Sequence, residues 1–276
     1  MTHATYKLVK TGDGSYTLYL PEFDEHMHSL SGAYEEALLK HVRPSGILDR
    51  KKSALQVLDV GFGLGYNTLA LLAELEGSGY RGAVTVAALE QDRSLADALT
   101  SVRFDDFRER LYAIIKEAYR RGLSTAGNVS ISVLFGDARG RVMPLPGKIF
   151  DAVFFDPFSP SRNPELWSVD FFRQVYRTMN DQAVLTTYSS APQVRAALRE
   201  AGFLIGRGPS VGGKREGTLA SKSSIVPELT AADMAMVMAG GRGVPYRDPQ
   251  LNADRETIRR WRRDEMKRLR STASDQ

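Results

Sequence analysis

Residues 55–67 read Leu-Gln-Val-Leu-Asp-Val-Gly-Phe-Gly-Leu-Gly-Tyr-Asn, an apolar run that ends in three alternating glycines. The run Leu55 to Val60 predicts a buried strand, and the spacing from Asn67 to Leu75 predicts a helix. Glycines at alternate positions allow a sharp backbone turn and a close approach to a bound ligand. This strand–loop–helix unit is typical of an open α/β sheet, in which ligands bind at the carboxyl ends of the strands.

The rest of the chain repeats the alternation of strands and helices. Further strands are predicted at Val84 to Leu89, Val129 to Phe135, Ala152 to Phe155 and Ala183 to Tyr188, and a further helix at Pro192 to Ala201. Two helical segments are inserted between Glu90 and Gly136, and the longer one runs from Phe104 to Arg121. Strands that alternate with helices imply a parallel sheet covered on both faces, so we expect an α/β fold of Rossmann-like type.

Two extensions flank this core. At the amino terminus, Tyr6 to Leu20 predicts a hairpin with an Asp-Gly turn, and Ala33 to Val42 predicts a helix that Pro44 stops. At the carboxyl terminus, Arg255 to Arg270 predicts a basic helix. We therefore divide the chain into an amino-terminal extension (1–45), a Rossmann-like core (46–221) and a carboxyl-terminal extension (222–276).

The basic helix at the carboxyl terminus allows two interpretations. In the first, it is a solvated amphipathic helix that Ile258, Trp261, Met266 and Leu269 dock onto the body of the protein. In the second, it contacts phosphates, because clustered Arg and Lys residues gain affinity from the release of counterions. Both interpretations stay open at the level of the sequence.

The composition excludes several classes of function. The chain has 276 residues, of which 42% are hydrophobic and 25% charged, and its net charge is +4. It contains no cysteine, which excludes disulfides, thiolate metal sites and thiol nucleophiles. It contains only four histidines, so we expect no metal centre. Neither an apolar signal core nor an apolar run of bilayer length is present, so we expect a soluble, cytoplasmic protein without membrane contact.

The glycine loop distinguishes between kinds of nucleotide site. A dinucleotide fingerprint, Gly-x-Gly-x-x-Gly, would require glycine at Tyr66, whereas the third glycine is Gly65. This Gly-x-Gly-x-Gly form, with Asp59 two residues before the first glycine, resembles the S-adenosylmethionine loop of Rossmann-like methyltransferases. The resemblance implies S-adenosyl-L-methionine as the cofactor. The alternative for the loop taken alone is a plain tight turn.

Carboxylates follow three further predicted strands. Glu90 is placed to accept hydrogen bonds from both ribose hydroxyls of a bound nucleoside. In methyltransferases of this kind, an acid at the position of Asp137 reaches the exocyclic amine of adenine, although Asp137 could also cap the next helix. Asp156 follows the strand that ends at Phe155. The cofactor-binding residues that we expect are Asp59, Gly61, Phe62, Gly63, Gly65, Asn67, Glu90, Asp137, Ala138 and Asp156.

The loop that begins at Asp156 reads Asp-Pro-Phe-Ser-Pro-Ser-Arg-Asn-Pro and leads to Trp167. Proline fixes φ and removes a backbone donor, so the three prolines predict a stiff, non-helical wall. Methyltransferases that act on exocyclic nitrogens often carry Asp/Asn-Pro-Pro-aromatic at this strand end, and Asp-Pro-Phe is a variant of that pattern. We expect Asp156 to be the catalytic residue, as the positioner of an amine and a candidate base, and Phe158 or Trp167 to stack on a nucleobase.

The longer motif from Asp156 to Trp167 resembles that of the MnmC-type tRNA methyltransferase domain, Asp-Gly/Pro-Phe-x-Pro-x-Lys/Arg-Asn-Pro-x-x-Trp. Residues 59–67 are similar to that family's Glu-x-Gly-Phe-Gly-x-Gly-x-Asn, with Asp59 in place of Glu. The resemblance implies methylation of 5-aminomethyluridine, or its 2-thio form, at the wobble position of tRNA, which gives 5-methylaminomethyluridine. The substrate-binding residues that it implies are Phe158, Arg162, Asn163, Trp167, Lys214 and Arg215.

The same resemblance bears on cofactors and partners. Bifunctional members of the family carry a second half, an FAD-dependent oxidase, and this chain resembles the methyltransferase half alone. We therefore expect no FAD and no metal. The expected partner is the anticodon stem-loop of tRNA with its wobble uridine, and no obligate protein partner is evident.

Two other functions remain as alternatives. An aminopropyltransferase of the spermidine-synthase type shares the fold and also alkylates amines, but it would carry a Gly-Gly-Gly-Asp-Gly loop, which this sequence lacks. A non-catalytic, RNA-binding relative of the methyltransferase fold is the second alternative. The intact glycines and strand-end acids argue against it.

Overall fold

The structure is a computed structural model that describes residues 7–22, 24–211, 216–223, 226–239 and 241–274. The strands are β1 (Leu8–Lys10), β2 (Tyr16–Leu20), β3 (Glu25–His26), β4 (Ala54–Val60), β5 (Ala83–Glu90), β6 (Leu123–Ala126), β7 (Val129–Phe135), β8 (Phe150–Phe155), β9 (Met179–Thr187), β10 (Leu204–Arg207) and β11 (Thr218–Ser221). The α-helices are α1 (Ala33–Ala37), α2 (Tyr66–Gly77), α3 (Leu95–Ser101), α4 (Arg108–Arg121), α5 (Ala138–Val142), α6 (Val169–Thr178), α7 (Pro192–Glu200), α8 (Ala231–Met238) and α9 (Arg255–Ser274).

Five parallel strands form the middle of an eight-stranded sheet, in the order β10-β11-β9-β8-β4-β5-β7-β6. The parallel strands are β9, β8, β4, β5 and β7, which are the five strands predicted for the core. The chain runs outward from β4 through β5 to β7, and then returns to the other side of β4 as β8. Such a reversal opens a crevice at the carboxyl ends of the strands on either side of it. The glycine loop after β4 and the proline-rich loop after β8 both leave the sheet at this crevice.

The sheet is mixed rather than wholly parallel, because its edge strands run antiparallel. β6 pairs with β7, and β11 lies between β9 and β10 and is antiparallel to both. Each of these three additional strands has 4 residues. Runs of that length show too little periodicity to be distinguished from loops, and for this reason the sequence did not reveal them. The expected α/β fold of the S-adenosylmethionine-dependent methyltransferase type is confirmed.

The amino-terminal extension forms a small sheet and a helix. β1 and β2 pair antiparallel, with Leu8 opposite Leu18, which confirms the predicted hairpin for the described residues, while Tyr6 lies outside them. The predicted helix begins at Ala33 but changes character, since α1 continues as a π-helical turn (Leu38–Val42) and a 3₁₀ turn (Arg43–Ser45). The winding therefore passes through Pro44 and ends at Gly46, where φ is +66°.

The hydrophobic core lies on both faces of the sheet, because successive side chains of a strand point in opposite directions. Val57 of β4 belongs to a cluster that includes Leu18 from the amino-terminal extension. Its neighbour Leu58 belongs to a cluster that includes Tyr246 and Ile258 from the carboxyl-terminal extension. Both extensions thus share a core with the α/β body, and the division of the chain into three parts stays a prediction.

Candidate active site

A cavity of about 870 Å³ lies at the crevice where the strand order reverses. Its volume is within the range of ordinary small-molecule sites. The predicted site residues that line it are Gly61, Gly63, Glu90, Asp137, Ala138, Asp156, Phe158 and Asn163. The carboxyl ends of all five parallel strands meet here, so residues far apart in the chain surround one space.

The glycine loop is packed against the start of the proline-rich loop. Gly61 has φ +80°, and a Cβ atom at this position would lie 2.8 Å from the carbonyl oxygen of Asp156 and 2.9 Å from Cα of Pro157. Only glycine allows the two loops to approach so closely. Gly65 serves packing instead, because a Cβ there would lie 2.7 Å from Cγ2 of Ile115 in α4. Phe62 is also turned inward and stacks on Tyr119, with 6.1 Å between ring centroids.

Asp59 lies beneath the glycine loop and is fully buried. Its Oδ2 accepts a hydrogen bond of 2.8 Å from Oγ1 of Thr68, and its Oδ1 accepts a long one of 3.5 Å from Nδ2 of Asn67. Burial raises the pKa of Asp59 to about 7, although the bond from Thr68 opposes this. Asp59 and Asn67 thus support the loop from below, and neither lines the cavity.

Glu90 fixes the other side of the glycine loop. Its Oε2 accepts a hydrogen bond of 2.7 Å from the backbone N–H of Gly63, and its Oε1 accepts one of 2.8 Å from the N–H of Asp92. Burial raises the pKa of this carboxyl, and the backbone donors counteract that effect. The carboxylate is therefore held at the edge of the cavity, where each oxygen retains a further lone pair for a ligand hydroxyl.

Asp137 caps α5 and is joined to an arginine. Its side chain accepts a bond of 2.9 Å from the backbone N–H of Arg139 and one of 2.7 Å from Nη2 of the same residue. Burial opposes ionisation, but the bonds and the charge of Arg139 hold the pKa of Asp137 below its usual value. Nη1 of Arg139 also donates to Asp248, at 2.5 Å, and to the carbonyl oxygen of Ala253, at 2.8 Å. The predicted helix cap by Asp137 is confirmed, and Arg139 connects the cavity with the carboxyl-terminal extension.

Asp156 opens into the cavity with 18% of its side chain exposed. Nδ2 of Asn67 donates to its Oδ2 at 3.3 Å, and Nε2 of the buried His41 lies 3.5 Å from its Oδ1. Burial would raise the pKa of Asp156, but the charges of the nearby His41 and His28 and the hydrogen bond from Asn67 lower it below the ordinary value. Asp156 is therefore a carboxylate that accepts hydrogen bonds.

Trp167 does not have the expected role. Its side chain is 0% exposed, its Nε1 donates to the carbonyl oxygen of Phe158 at 2.8 Å, and its ring packs edge-to-face on Phe155. A ring enclosed in this way has no face on which a nucleobase could stack, so the prediction of stacking by Trp167 is wrong. Trp167 instead stabilises the proline-rich loop from inside, while Phe158 lines the cavity.

The polar residues of the proline-rich loop are tied to neighbouring segments. Nη2 of Arg162 pairs with Asp24 at 3.1 Å on the outer surface, and Arg162 does not line the cavity. Nδ2 of Asn163 donates to Glu165 at 3.0 Å. Glu165 in turn accepts a hydrogen bond of 3.0 Å from Nε of Arg255 in α9. The other two predicted substrate contacts, Lys214 and Arg215, lie outside the described residues.

Several residues of the site were not found from the sequence. They include His41 and Arg139, and also Glu25 of β3, which holds the proline-rich loop by accepting a hydrogen bond of 3.2 Å from the N–H of Ser159. Tyr188 donates to the carbonyl oxygen of Pro157 at 3.0 Å. The one available signal was a polar Lys-His pair inside the otherwise apolar Ala37 to Val42 segment. The contacts themselves join distant parts of the chain, which local patterns do not reveal.

Within the described part of the chain, no helix is both long and apolar enough to cross a membrane. The same residues include no group of three or more His, Cys, Asp or Glu side chains that could hold a metal ion.

Comparison with known proteins assigns the class of enzyme. Residues 103–223 match the family model of an S-adenosyl-L-methionine-dependent methyltransferase. The fold, the glycine loop and this match define the chain as an S-adenosylmethionine-dependent methyltransferase. The crystal structure of MNMC2 from Aquifex aeolicus superposes with a TM-score of 0.83 at 31% identity, over 96% of this chain and 85% of that one. The chain therefore belongs to the MnmC-type methyltransferase family, as its motifs implied.

Two further proteins are similar in sequence to this chain. An uncharacterized protein of Methanocaldococcus jannaschii is 34% identical over 272 residues, which cover 94% of this chain and 73% of that protein. The bifunctional tRNA 5-methylaminomethyl-2-thiouridine biosynthesis protein MnmC of Ralstonia nicotianae is 30% identical over 219 residues. The match covers 74% of this chain but only 33% of that protein, so the chain corresponds to about a third of the bifunctional relative. These matches do not favour the aminopropyltransferase or the non-catalytic alternative.

Proposed function

We propose that the protein transfers a methyl group from S-adenosylmethionine to the amine of 5-aminomethyluridine, or its 2-thio form, at the wobble position of tRNA. The observation that carries this proposal is the shared cavity, into which Asp156 opens beside Gly63 and Glu90. A cofactor side and an amine-binding carboxylate are thereby adjacent. The substrate class is taken from the MnmC relatives, which act in tRNA 5-methylaminomethyl-2-thiouridine biosynthesis.

The cofactor side of the cavity fits a nucleoside. Gly63 has φ +53°, which favours glycine, and a Cβ atom at this position would lie 3.7 Å from Sδ of Met27, which also lines the cavity. The fixed carboxylate of Glu90 can accept hydrogen bonds from two ribose hydroxyls. Asp137 is ionised and half-exposed, so it can accept a hydrogen bond from the adenine amine while Arg139 holds it.

The proposed reaction is a substitution at carbon, in which the enzyme aligns the reactants and keeps the nucleophile unprotonated. When bound, S-adenosylmethionine supplies a methyl carbon attached to a sulfonium. The amine nitrogen bonds to that carbon with its lone pair, while the electron pair of the C–S bond goes to sulfur. The substituted ammonium then releases one proton through the Asp156 carboxylate. The reaction involves no net oxidation or reduction, so the step itself needs no redox cofactor.

The substrate side is formed by the proline-rich loop. Phe158 and Asn163 line the cavity, and they can contact the base and its polar edge. Exposed cations on the outer face of α9, such as Arg260 and Lys267, are available for tRNA phosphates. The docking interpretation of the basic helix holds for Ile258, which is 1% exposed, but not for Trp261, which is 40% exposed.

Incubation with isotope-labelled S-adenosylmethionine tests the proposal directly. The acceptor is tRNA that carries 5-aminomethyl(-2-thio)uridine and lacks the final methyl group. Nucleoside analysis should show label in 5-methylaminomethyl(-2-thio)uridine and nowhere else. Tight cofactor binding without any label in that nucleoside would refute the assigned substrate. Preferential binding of decarboxylated S-adenosylmethionine in titration calorimetry would instead indicate an aminopropyltransferase.

The role of Asp156 can be tested separately. We expect Asp156→Ala to retain cofactor affinity within about threefold, because the cofactor contacts lie on Gly63 and Glu90, and to lose about 100-fold or more in methyl transfer. Asp156→Asn is the matched variant, since it retains the shape of the side chain and removes its charge. Cofactor affinity is measured by titration and transfer by single-turnover kinetics. Transfer at the wild-type rate in both variants would disprove the role.

A further inference from the structure

We propose that His41 is a positioning residue whose imidazolium shares the Asp156 carboxylate with the substrate amine, so that Asp156 orients the amine without retaining it as an ammonium. This inference rests on the proposed function of the site. It concerns a residue that neither the glycine loop nor the proline-rich motif contains.

The geometry places His41 directly behind Asp156. The imidazole is 0% exposed, and its Nδ1 lies 3.1 Å from Oγ1 of Thr186 in β9. Its Nε2 lies 3.5 Å from Oδ1 of Asp156 and makes no closer hydrogen bond within the described part of the chain. Asn67 donates a hydrogen bond to Oδ2, so each oxygen of the Asp156 carboxylate has a neighbour within the protein. Its exposed part faces the cavity, where the amine would lie.

The backbone that carries His41 is unusual. His41 lies in the π-helical turn Leu38–Val42, between α1 and a 3₁₀ turn. Single π turns within helices occur frequently at functional sites. A buried ring nitrogen without a close partner is also costly, and such groups are rare in folded proteins. Both features are explained if the His41 ring is positioned beside a carboxylate, Asp156, that also binds the substrate amine.

The charges around His41 favour its protonated form. The titratable groups that face it are Asp156 after β8, Asp59 in β4, Glu36 in α1 and His28 after β3. Burial opposes the cation, but the charge of the nearby Asp156 carboxylate, together with the charges of Asp59 and Glu36, raises the pKa of His41. In the opposite direction, His41 lowers the pKa of Asp156. The proton of this pair therefore lies on the histidine.

An imidazolium at this place solves a chemical problem of amine methylation. An alkylamine has an ordinary pKa of about 10, so at neutral pH it is protonated and has no lone pair for attack. A lone carboxylate beside it would stabilise the ammonium further. A second cation beside the same carboxylate offsets this stabilisation of the ammonium. Repulsion between two nearby positive charges lowers the pKa of the amine by about one unit or more. Asp156 can then hold the amine by a hydrogen bond while the proton leaves.

The test compares the pH dependence of single-turnover methyl transfer in the wild type and in His41→Gln, at saturating tRNA and cofactor. Under these conditions the acidic limb of the profile reports the pKa of the bound amine. Gln keeps a polar side chain and lacks the charge, so we expect the acidic limb to move up by about one pH unit. Well below the limb, this shift corresponds to about tenfold slower transfer. Thr178→Val, which removes a buried hydroxyl in α6 away from the site, is the control and should leave the profile in place.

The outcomes separate this inference from the proposed function. A wild-type enzyme that fails to methylate the tRNA refutes the proposed function. A wild-type enzyme that methylates it, with His41→Gln showing an unchanged acidic limb, refutes the role of His41. Should His41→Gln not fold, ¹⁵N NMR of the histidines in the wild type replaces it: His41 should be protonated at pH 7 and lose that proton in Asp156→Asn. A neutral His41 at pH 7 overturns the inference.

Discussion

Asp59 makes the stability of this protein depend on pH in a direction that is unusual for a carboxyl group. Burial raises its pKa to about 7 in the folded protein, from an ordinary value of 3.8. A group with a raised folded pKa stabilises the fold fully below its unfolded pKa, and this contribution is lost as the pH rises through the folded pKa. We therefore expect the contribution of Asp59 to the free energy of unfolding to fall as the pH rises from about 4 to about 7.

The magnitude follows from the difference between the two pKa values. About three pH units at 1.36 kcal/mol each amount to about 4 kcal/mol, as an order of magnitude. Asp59→Asn cannot ionise, and its side-chain oxygen can still accept the hydrogen bond from Thr68. The free energy of unfolding of the variant, relative to the wild type, should therefore rise by up to about 4 kcal/mol from pH 4 to pH 8.

Urea denaturation at a series of pH values measures this difference. Groups that titrate identically in both proteins cancel, provided that the denaturant slopes agree. Asp105→Asn, at an exposed position before α4, is the matched control and should show a difference within about 0.5 kcal/mol at every pH. A flat difference between Asp59→Asn and the wild type from pH 4 to pH 8 would refute the reasoning, since Asp59 would then ionise as easily in the folded protein as in the unfolded chain.

Two further substitutions test the close approach of the loops and the basic helix. Gly61→Ala should destabilise the protein by about 2 kcal/mol or more and weaken cofactor binding in titration, because its Cβ would meet the backbone of Asp156 at 2.8 Å and its φ is +80°; an unchanged cofactor affinity would disprove this packing role. Replacing Arg260 and Lys267 by Gln should weaken tRNA binding and make it less dependent on salt, by about one unit of slope for each lost phosphate contact. Lys51→Gln, at an exposed position shortly before the amino end of β4, is the control, and equal salt dependence in all three proteins would exclude phosphate contacts by α9.

The central sheet and the cofactor side could be predicted from the sequence because their signals are local. Long apolar runs identify buried strands, and alternating glycines identify the turn after β4. Parallel strands end at the same edge, so acids that follow separate strands must meet in space. For this reason Glu90, Asp137 and Asp156 could be expected to surround one cavity, and all three line it.

The remainder of the site depends on contacts that local patterns do not encode. His41 and Asp156 are separated by more than a hundred residues and meet only because the π-helical turn Leu38–Val42 packs against β8 and β9. An aromatic residue in a motif gives no indication of which way its ring points, and Trp167 is turned into the core. Short polar edge strands such as β6 carry too little periodicity to be recognised.

The carboxyl-terminal extension links the two sides of the cavity. On the cofactor side, Arg139 joins Asp137 to Asp248. On the substrate side, Arg255 binds Glu165 in the proline-rich loop, and Ile258 of α9 belongs to the hydrophobic core and is 1% exposed. Removal of α9 would therefore disturb the loop as well as the basic surface, and a loss of tRNA binding after such a deletion would not identify phosphate contacts. Since buried ion pairs are costly to break by removal of one partner, the extension holds Asp137 and the proline-rich loop in a fixed relation, which alignment of a methyl donor with an amine requires.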